Sequence, residues 1–278
     1  MFLYENFIDI YLYQGNQICR ILNRVIKKYK MEDVVEGLKL VRNKIIAASA
    51  KRDPEYAYFE PRLVAVSKIK PPELIIAAYE AGQRHFGENY VNELKDKAYD
   101  LSITEKCKDI RWHFIGHLQK NKVNKIISIP NLYIIETVDS KSIANALDNA
   151  YSKVCDDNSK LNIMVQVNTS EEEAKNGCKV EELSELVQYI LDTCKQLEFI
   201  GLMTIGAYGY DPSNGPNPDF LRLKKCKEDL CKDLNLDKKK VELSMGMSTD
   251  YEHAILLGSS NVRVGTAIFG ERPKKDGQ

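Results

Sequence analysis

The sequence lacks the features that mark several classes of protein. Its 40 Lys and Arg residues are balanced by 40 Asp and Glu residues, so it has none of the basic excess that nucleic-acid-binding proteins usually carry. No apolar run approaches the roughly 18 residues of a membrane-spanning helix. The seven cysteines form no Cys-x-x-Cys pair, which argues against a zinc knuckle or a thioredoxin-type motif and favours reduced thiols in the cytoplasm. These absences leave a soluble globular protein that handles a small molecule.

The first thirty residues differ from the rest of the chain. They are aromatic and apolar, but Glu5 and Asp9 interrupt them and no positively charged region precedes them. They therefore fit neither a secretory signal nor an Arg-rich transit peptide, and a cytoplasmic location is expected, with a mitochondrial one as the alternative. We treat residues 1–30 as an extension without an assigned role. From Val34 to Ile45 apolar residues recur at helical spacing, which predicts a helix ahead of the main domain.

From Pro61 onward, short apolar segments alternate with helical ones. The eight predicted strands cover residues 63–67, 84–87, 112–116, 132–138, 162–168, 199–206, 242–247 and 261–270. This alternation predicts an α/β fold, a single (β/α)8 barrel of the TIM type, with an open doubly wound sheet as the alternative. We assign residues 31–273 to the barrel and 274–278 to a short tail, with no second domain.

The end of the first predicted strand carries a candidate nucleophile. In parallel barrels the functional site lies at the C-terminal ends of the strands. Period-two alternation places Lys68 on the face of Val64 and Val66, while Ser67 points the other way. Burial lowers the pKa of a lysine towards that of a nucleophilic amine, although a lysine extending to solvent is an equal alternative. Lys70, directly before two prolines, is assigned to the loop.

Single polar residues follow the second and third strands. Asn89 comes just past strand two, where it could hold a ligand or cap the next helix. His117 comes just past strand three, where it could face a ligand or serve as a hydrogen-bonded structural residue. No His-Glu-x-x-His motif or His/Asp cluster accompanies it, so no metal site is expected.

Small and hydroxylated residues end the seventh and eighth strands. The run from Ser244 through Gly246 to Ser248 leads directly into a helix, and Gly265-Thr266 ends strand eight. Such residues leave backbone N–H groups free to face an anion, and barrels often bind phosphate after strands seven and eight. A phosphate cup opposite a lysine from the neighbouring first strand suggests a phosphorylated aldehyde held as a Schiff base, hence pyridoxal phosphate.

At these motifs the chain resembles the pyridoxal phosphate homeostasis family. The matching segments, between residues 33 and 273, are LVAVSKIKP, GQRHFGENYVNE, WHFIGHLQKNK, QVNTSEEEAKNG, GLMTIG, LSMGMSTDYEHAI and VRVGTAIFGER. The resemblance implies a barrel like the N-terminal domain of alanine racemase. It also implies that the protein binds pyridoxal 5′-phosphate (PLP) and takes part in intracellular vitamin B6 homeostasis. It implies a Schiff base on Lys68. The other residues that it implies are Ser248, Gly265 and Thr266 at the phosphate, Arg263 at the pyridine nitrogen, and Asn89, Met245 and His117 around the ring.

The residues favour binding over catalysis. PLP is a strong electron sink when its ring nitrogen is protonated, usually by a carboxylate, whereas Arg263 can only donate a hydrogen bond. The chain also ends at Gln278, soon after the last strand, so we expect no second domain to supply the additional acid or base that racemisation needs.

We therefore expect a non-catalytic protein, a monomer or weak dimer, that buffers PLP or delivers it to PLP-dependent apoenzymes. One alternative is an amino-acid racemase or lyase that uses the same cofactor. Another is a barrel that binds a different phosphorylated ligand without covalent attachment.

Overall fold

The computed structural model describes residues 30–155, 159–170, 172, 175–207 and 209–271. The strands are β1 (Arg62–Val66), β2 (His85–Glu88), β3 (Arg111–Phe114), β4 (Leu132–Val138), β5 (Leu161–Gln166), β6 (Leu197–Met203), β7 (Glu242–Ser244) and β8 (Asn261–Val264). They pair in parallel in chain order, and β8 pairs with β1 to close the sheet. The predicted eight-stranded barrel is confirmed, and the open-sheet alternative is wrong.

The helices surround this barrel. They are α1 (30–49), α2 (Pro72–Glu80), α3 (Val91–Ala98), α4 (Leu101–Lys106), α5 (Val123–Ile127), α6 (Lys141–Tyr151), α7 (Leu183–Thr193), α8 (Pro218–Asp233), α9 (Tyr251–Leu256) and α10 (Thr266–Phe269). Short 3₁₀ helices occur at Pro54–Tyr56, Lys120–Lys122, Val180–Glu182 and Pro212–Asn214. The eighth strand is shorter than predicted, because the chain turns at Gly265 and its last apolar residues form α10.

Helix α1 fills the side of the barrel between the last helices and α2. Its residues Val34, Leu38, Val41 and Ile45 are buried, as the helical spacing predicted. Lys44 forms an ion pair with a residue of α9 at 3.0 Å. The extension of residues 1–30 lies outside the described residues except for residue 30, which is helical, and so does the tail of 274–278. No helix among the described residues is long and apolar enough to cross a membrane.

The barrel has two kinds of interior. Strand residues that face outward, such as Leu63 and Ala65, join the helices in the main hydrophobic core. Inside the barrel, Ile134, Met164 and Met203 form a separate small apolar cluster. Polar side chains of β3, β4, β7 and β8 also meet inside the barrel, where they hydrogen-bond to one another. These polar side chains connect the two ends of the barrel.

Candidate functional site

Lys68 lies in a tight turn at the C-terminal end of β1. The Lys70 N–H donates to the Ser67 carbonyl oxygen at 3.0 Å, so Lys68 and Ile69 are the central residues of the turn. Ile69 has φ 61°, a left-handed conformation that is rare for a β-branched residue and that surrounding contacts must maintain. The Lys68 side chain is half-buried. The predicted candidate nucleophile therefore lies at the mouth of the barrel on a strained backbone.

A buried lysine of α3 holds this turn in place. The Lys97 ammonium donates to the Ser67 carbonyl at 2.7 Å, to Glu88 at 2.7 Å and to Glu93 at 2.6 Å. The Ser67 hydroxyl donates to Glu88 at 2.6 Å, and Glu93 accepts from the Ile69 N–H. Burial raises the pKa of Glu88, while the Lys97 charge opposes that rise. The backbone on both sides of Lys68 is thus tied to one buried ionic cluster.

Lys70 has a different environment from Lys68. Its ammonium donates to the carbonyl oxygens of Phe269, Gly270 and Glu271 at 2.8, 2.9 and 2.9 Å. These carbonyls belong to the last residue of α10 and the two residues after it, where a cation is favourable. This placement agrees with the assignment of Lys70 to the loop.

The turns after β7 and β8 meet at a hydroxyl group. The Ser248 Oγ accepts hydrogen bonds from the backbone N–H groups of Gly265 at 3.1 Å and Ala267 at 3.4 Å. Gly246 has φ +95°, and a Cβ there would lie 2.6 Å from the Cβ of Ala254, so only glycine fits this turn. The structure thereby brings backbone N–H groups and a hydroxyl of two neighbouring loops together.

The cup adjoins the end of β1, directly before the turn that contains Lys68. A Cβ added to Gly265 would lie 3.2 Å from the Val66 carbonyl oxygen. Because Val66 is the last residue of β1, the structure brings Gly265, Thr266 and Ser248 beside the turn of Lys68. These residues are almost 200 positions apart in the sequence, and they come together because β8 pairs with β1 to close the barrel.

Arg263 forms part of the floor of the mouth. Its guanidinium donates to the Ser244 hydroxyl at 2.5 Å and to the Thr204 carbonyl at 2.7 Å, so it spans the C-terminal ends of β6 and β7. Burial lowers the pKa of Arg263, and the charges of Glu136 and Asp250 oppose that effect. An arginine so held remains a cation and a donor.

A chain of hydrogen bonds leads from Arg263 down the barrel axis. Glu136, fully buried, accepts from the Ser244 hydroxyl at 2.6 Å, from His113 at 2.6 Å and from Asn261 at 3.2 Å. The second nitrogen of His113 lies 2.8 Å from His85 Nδ1. Two neutral imidazoles that carry their protons on Nδ1 account for both contacts. His113 then donates to Glu136, and His85 donates to the Nε2 of His113.

The pKa shifts agree with this protonation. Burial acts to raise the pKa of Glu136, but the His113 hydrogen bond and the neighbouring positive charge hold it below its usual value. Burial lowers the pKa of His113 despite the adjacent carboxylate. Burial also lowers the pKa of His85 to about 3, with further contributions from His113 and nearby arginines. Glu136 is therefore ionised and both imidazoles are neutral near pH 7.

The Asn89 side chain at this mouth has a buried oxygen whose hydrogen bonding is unsatisfied by the described residues. Its side-chain oxygen Oδ1 is buried and has no hydrogen-bond partner among the described residues. The Asn89 backbone lies so close to β3 that a Cβ on Gly116 would be 1.9 Å from the Asn89 carbonyl oxygen. A buried acceptor without a donor is costly, which is the arrangement expected where a ligand supplies the donor.

Two predicted ring contacts are placed differently. The Met245 side chain is fully buried in the main hydrophobic core, because alternation along β7 turns Ser244 inward and Met245 outward. The prediction that this side chain lines a ring at the mouth is therefore wrong. His117 is exposed, with its Nδ1 3.6 Å from Asp139, and no described contact joins it to the cup.

The sequence interpretation missed the axial residues His113, Glu136 and Asn261, and it placed Ser244 in the phosphate cup although the Ser244 hydroxyl belongs to the axial chain. A signal for them was present, since Glu136 interrupts the apolar strand LYIIETV and a charge within such a strand needs a partner inside the barrel. Among the described residues no group of three or more His, Cys, Asp and Glu side chains is arranged to hold a metal ion.

The fold and site define a class: a parallel (β/α)8 barrel whose mouth joins a lysine in the turn after β1 to a cup of hydroxyl and backbone N–H groups after β7 and β8. Residues 54–273 match the family described as "Alanine racemase, N-terminal domain". A human protein named pyridoxal phosphate homeostasis protein is 50% identical over 236 residues, with 85% of this chain and 86% of that protein covered. An Escherichia coli protein of the same name is 37% identical over 251 residues, with 87% and 98% covered. The chain belongs to the pyridoxal phosphate homeostasis protein family.

Solved structures agree with this membership. PipY of Synechococcus elongatus, described as without PLP, superposes with a TM-score of 0.70 at 30% identity, covering 85% of this chain and 100% of PipY. The same protein described as having PLP bound gives a TM-score of 0.69 at 29% identity, with the same coverage. Alanine racemase from Corynebacterium glutamicum, at 14% identity and a TM-score of 0.58, covers 89% of this chain and 63% of its own and shares the fold.

Proposed function

We propose that this protein holds PLP as a Schiff base on Lys68 and buffers it or delivers it to PLP-dependent apoenzymes. The observation that carries the proposal is the contact between the β8 turn and the end of β1, with Gly265 against Val66. This contact puts the Ser248 cup and the Lys68 turn at one mouth. The names of the relatives and the PLP-bound PipY support PLP as the cofactor.

The residues at the mouth fit the functional groups of PLP. Ser248, Gly265 and Thr266 would hold the phosphate, Arg263 would donate to the pyridine nitrogen, and Asn89 would gain the donor that its buried oxygen lacks. The bound cofactor supplies an aldehyde, which condenses with an unprotonated amine and releases one water. Lys68 would provide that amine from its half-buried position at the mouth. The contacts of Lys97 and Glu93 with the backbone of Ser67 and Ile69 would fix the turn from which this side chain extends.

Arg263 also supports storage over catalysis. Its guanidinium cannot transfer a proton to the ring nitrogen at ordinary pH, so it would leave that nitrogen neutral. Its position is rigid, because Ser244, Thr204 and the buried Glu136 carboxylate fix it from behind. A neutral ring withdraws electrons weakly. We therefore propose that the protein binds its cofactor without turning over amino acids.

A cytoplasmic location and a monomeric or weakly dimeric state remain part of the proposal. All six cysteines among the described residues are free thiols, which supports a reducing compartment.

The proposal is tested by trapping the bond. Borohydride reduction of the PLP-loaded chain, followed by peptide mass spectrometry, is expected to find the pyridoxyl group on Lys68. The Lys68→Ala variant should lose both this adduct and the visible absorbance of the bound cofactor. Lys70→Met is the matched control and should keep both. An adduct that maps to another lysine, or absorbance that persists in Lys68→Ala, would refute the role of Lys68.

A second candidate function is an amino-acid racemase or lyase that uses the same cofactor. The observation in its favour is the pair of His117 and Asp139 at the ends of β3 and β4, because this edge of the barrel could present a base. Steady turnover of a panel of amino acids, lost in both Lys68→Ala and His117→Ala, would establish it. Absence of turnover with the cofactor bound would leave storage as the function.

A further inference from the structure

A large cavity lies at the opposite end of the barrel from Lys68. It has a volume of about 920 Å³ and lies between the second half of α1 and the N-terminal ends of β1, β2 and β3. It shares no lining residue with the PLP site described above. We call it the N-terminal mouth. Its volume is within the range of about 300–1,000 Å³ that is typical of small-molecule sites.

Arginine dominates the charge of this cavity. Arg42, Arg52, Arg62, Arg84 and Arg111 all line it, and a single carboxylate, that of Glu60, lines it with them. Two further carboxylates just outside pair with lining residues, one with Arg62 at 2.7 Å and one with Arg84 at 2.9 Å. When all three carboxylates are counted, the arginines still exceed them by two. The N-terminal mouth is therefore cationic in a chain whose formal net charge is zero.

Three of the arginines have no carboxylate at salt-bridge distance within the part of the chain that the structure describes. Arg42 donates to a backbone carbonyl and to the Gln83 side chain, and Arg111 contacts His85 at 3.4 Å. Arg52 donates to the Phe59 carbonyl, but its other terminal nitrogen, Nη1, is buried without a partner. A buried charged donor left unpaired is expensive. The cavity thus contains donors that a bound anion would satisfy.

The arginines also repel each other. Burial lowers the pKa of Arg42, and the nearby charge of Arg84 lowers it further. Burial likewise lowers the pKa of Arg52. Like charges that crowd a partly buried space destabilise the protein unless a counter-charge enters. An anion in the cavity would therefore gain from charges that the fold has already placed together.

The shape and chemistry indicate which anion. The planar guanidinium group matches the geometry of phosphate oxygens and binds them through paired hydrogen bonds. Ile45 and Leu63 add apolar wall to the same cavity, which suits a ligand with an apolar body. The cavity has the size of a small-molecule site, whereas a nucleic acid or a membrane needs an extended basic surface. We propose that the N-terminal mouth is a second ligand site, which binds a small phosphorylated molecule through Arg52 and Arg111.

His85 makes this site observable. It lines the N-terminal mouth, and through His113 and Glu136 it forms one end of the axial chain that reaches Arg263. The chain has four histidines, so their imidazole resonances can be resolved by NMR and His85 assigned with a His85→Gln variant. His253 lies outside the cavity and serves as the internal reference.

The test uses inorganic pyrophosphate with the full chain in the absence of added PLP. We expect saturable movement of the His85 resonance, with the His253 resonance unmoved. In the double variant Arg52→Gln/Arg111→Gln, the pyrophosphate concentration that produces half of the His85 movement should rise roughly tenfold or more, because hydrogen bonds to charged groups are lost. Lys225→Gln, which removes an exposed charge far from the cavity, should match the wild-type protein. If the double variant does not fold, Arg111→Gln alone, at an exposed residue, takes its place.

The cup at the other end also attracts anions, and one variant separates the two sites. Ser248→Ala weakens the cup and should leave the His85 titration unchanged. If the His85 movement disappears in Ser248→Ala but persists in the arginine variants, the anion acts from the cup and the proposal is wrong. The same conclusion follows if millimolar pyrophosphate leaves His85 unmoved in the wild-type protein. Neither result would affect the role proposed for Lys68, because the two sites share no residue.

Discussion

Replacement of Lys97 by methionine should destabilise the protein, and the loss should grow with pH. The Lys97 side chain is 8% exposed and Glu88 is fully buried. Methionine keeps most of the apolar stem but removes the charge that faces Glu88. Breaking a buried ion pair by removing one partner costs roughly 3–5 kcal/mol of unfolding free energy. The cost here belongs to the Glu88 carboxylate, whose second oxygen already has no partner among the described residues.

The pH dependence follows from the direction of the Glu88 shift. Burial already raises the pKa of Glu88, and Lys97 is the first of the groups that oppose this rise. Without Lys97 the folded-state pKa rises further above its unfolded value. A group of this kind contributes its full stability below the unfolded pKa and loses it as pH rises through the folded pKa. The Lys97→Met penalty should therefore be small near pH 5 and reach roughly 3–5 kcal/mol near pH 8.

Urea denaturation of the wild-type and variant chains at several pH values measures this difference. The double variant Lys97→Met/Glu88→Gln is the control, because it removes both charges and should recover most of the stability at pH 8. The single variant should also bind PLP more weakly, since the Ser67 carbonyl loses its donor beside Lys68. A penalty below about 1 kcal/mol that does not change with pH would refute the reasoning. So would a double variant no more stable than the single one.

Two other predictions concern the barrel axis and the strand ends. His85 has a pKa of about 3 in the folded chain against an ordinary 6.5, so its contribution to stability is present above pH 6.5 and is lost as pH falls. Between pH 7 and pH 5 this loss would be about 2 kcal/mol for a fully shielded group and about 1 kcal/mol after allowance for partial exposure. Denaturation at the two pH values should show a smaller difference for His85→Gln, and an equal one would contradict the assignment. Gly116→Ala should reduce PLP affinity and stability together, since its Cβ would meet the Asn89 carbonyl oxygen at 1.9 Å. In Gly209→Ala, with no atom within 4 Å of the new Cβ, the cost should stay under about 2 kcal/mol of backbone strain; equal losses for both variants would rule out the steric explanation.

The sequence was most informative where structure depends on neighbouring residues. Short apolar runs separated by helical segments predicted eight strands, and the barrel confirms them. The same local patterns singled out Lys68 at the end of β1 and the small residues that form the cup. Family membership, which the motifs also indicated, is confirmed by the relatives. The roles of Lys68, Asn89 and Arg263 towards PLP stay predictions.

Side-chain direction was harder to predict near strand ends. Met245 was expected at the ring because of the family resemblance, but strand alternation turns its side chain to the core. The eighth strand looked continuous to residue 270 because α10 is as apolar as the strand before it. A short helix packed on a barrel and a buried strand need the same residue types, so composition does not separate them.

Contacts between distant parts of the chain required the tertiary structure. Asn261 and Glu136 are 125 residues apart and meet because the barrel closes around a common axis. The arginines of the N-terminal mouth come from α1, from the loop that follows it and from the starts of three strands, and nothing in their spacing along the chain brings them together. The sequence by itself determined the order of strands and helices and the kinds of residue that follow each strand, because hydrophobic periodicity and turn chemistry act over a few residues. Only the closed barrel decided which polar side chains face each other, because their pairing is set by strand order and register.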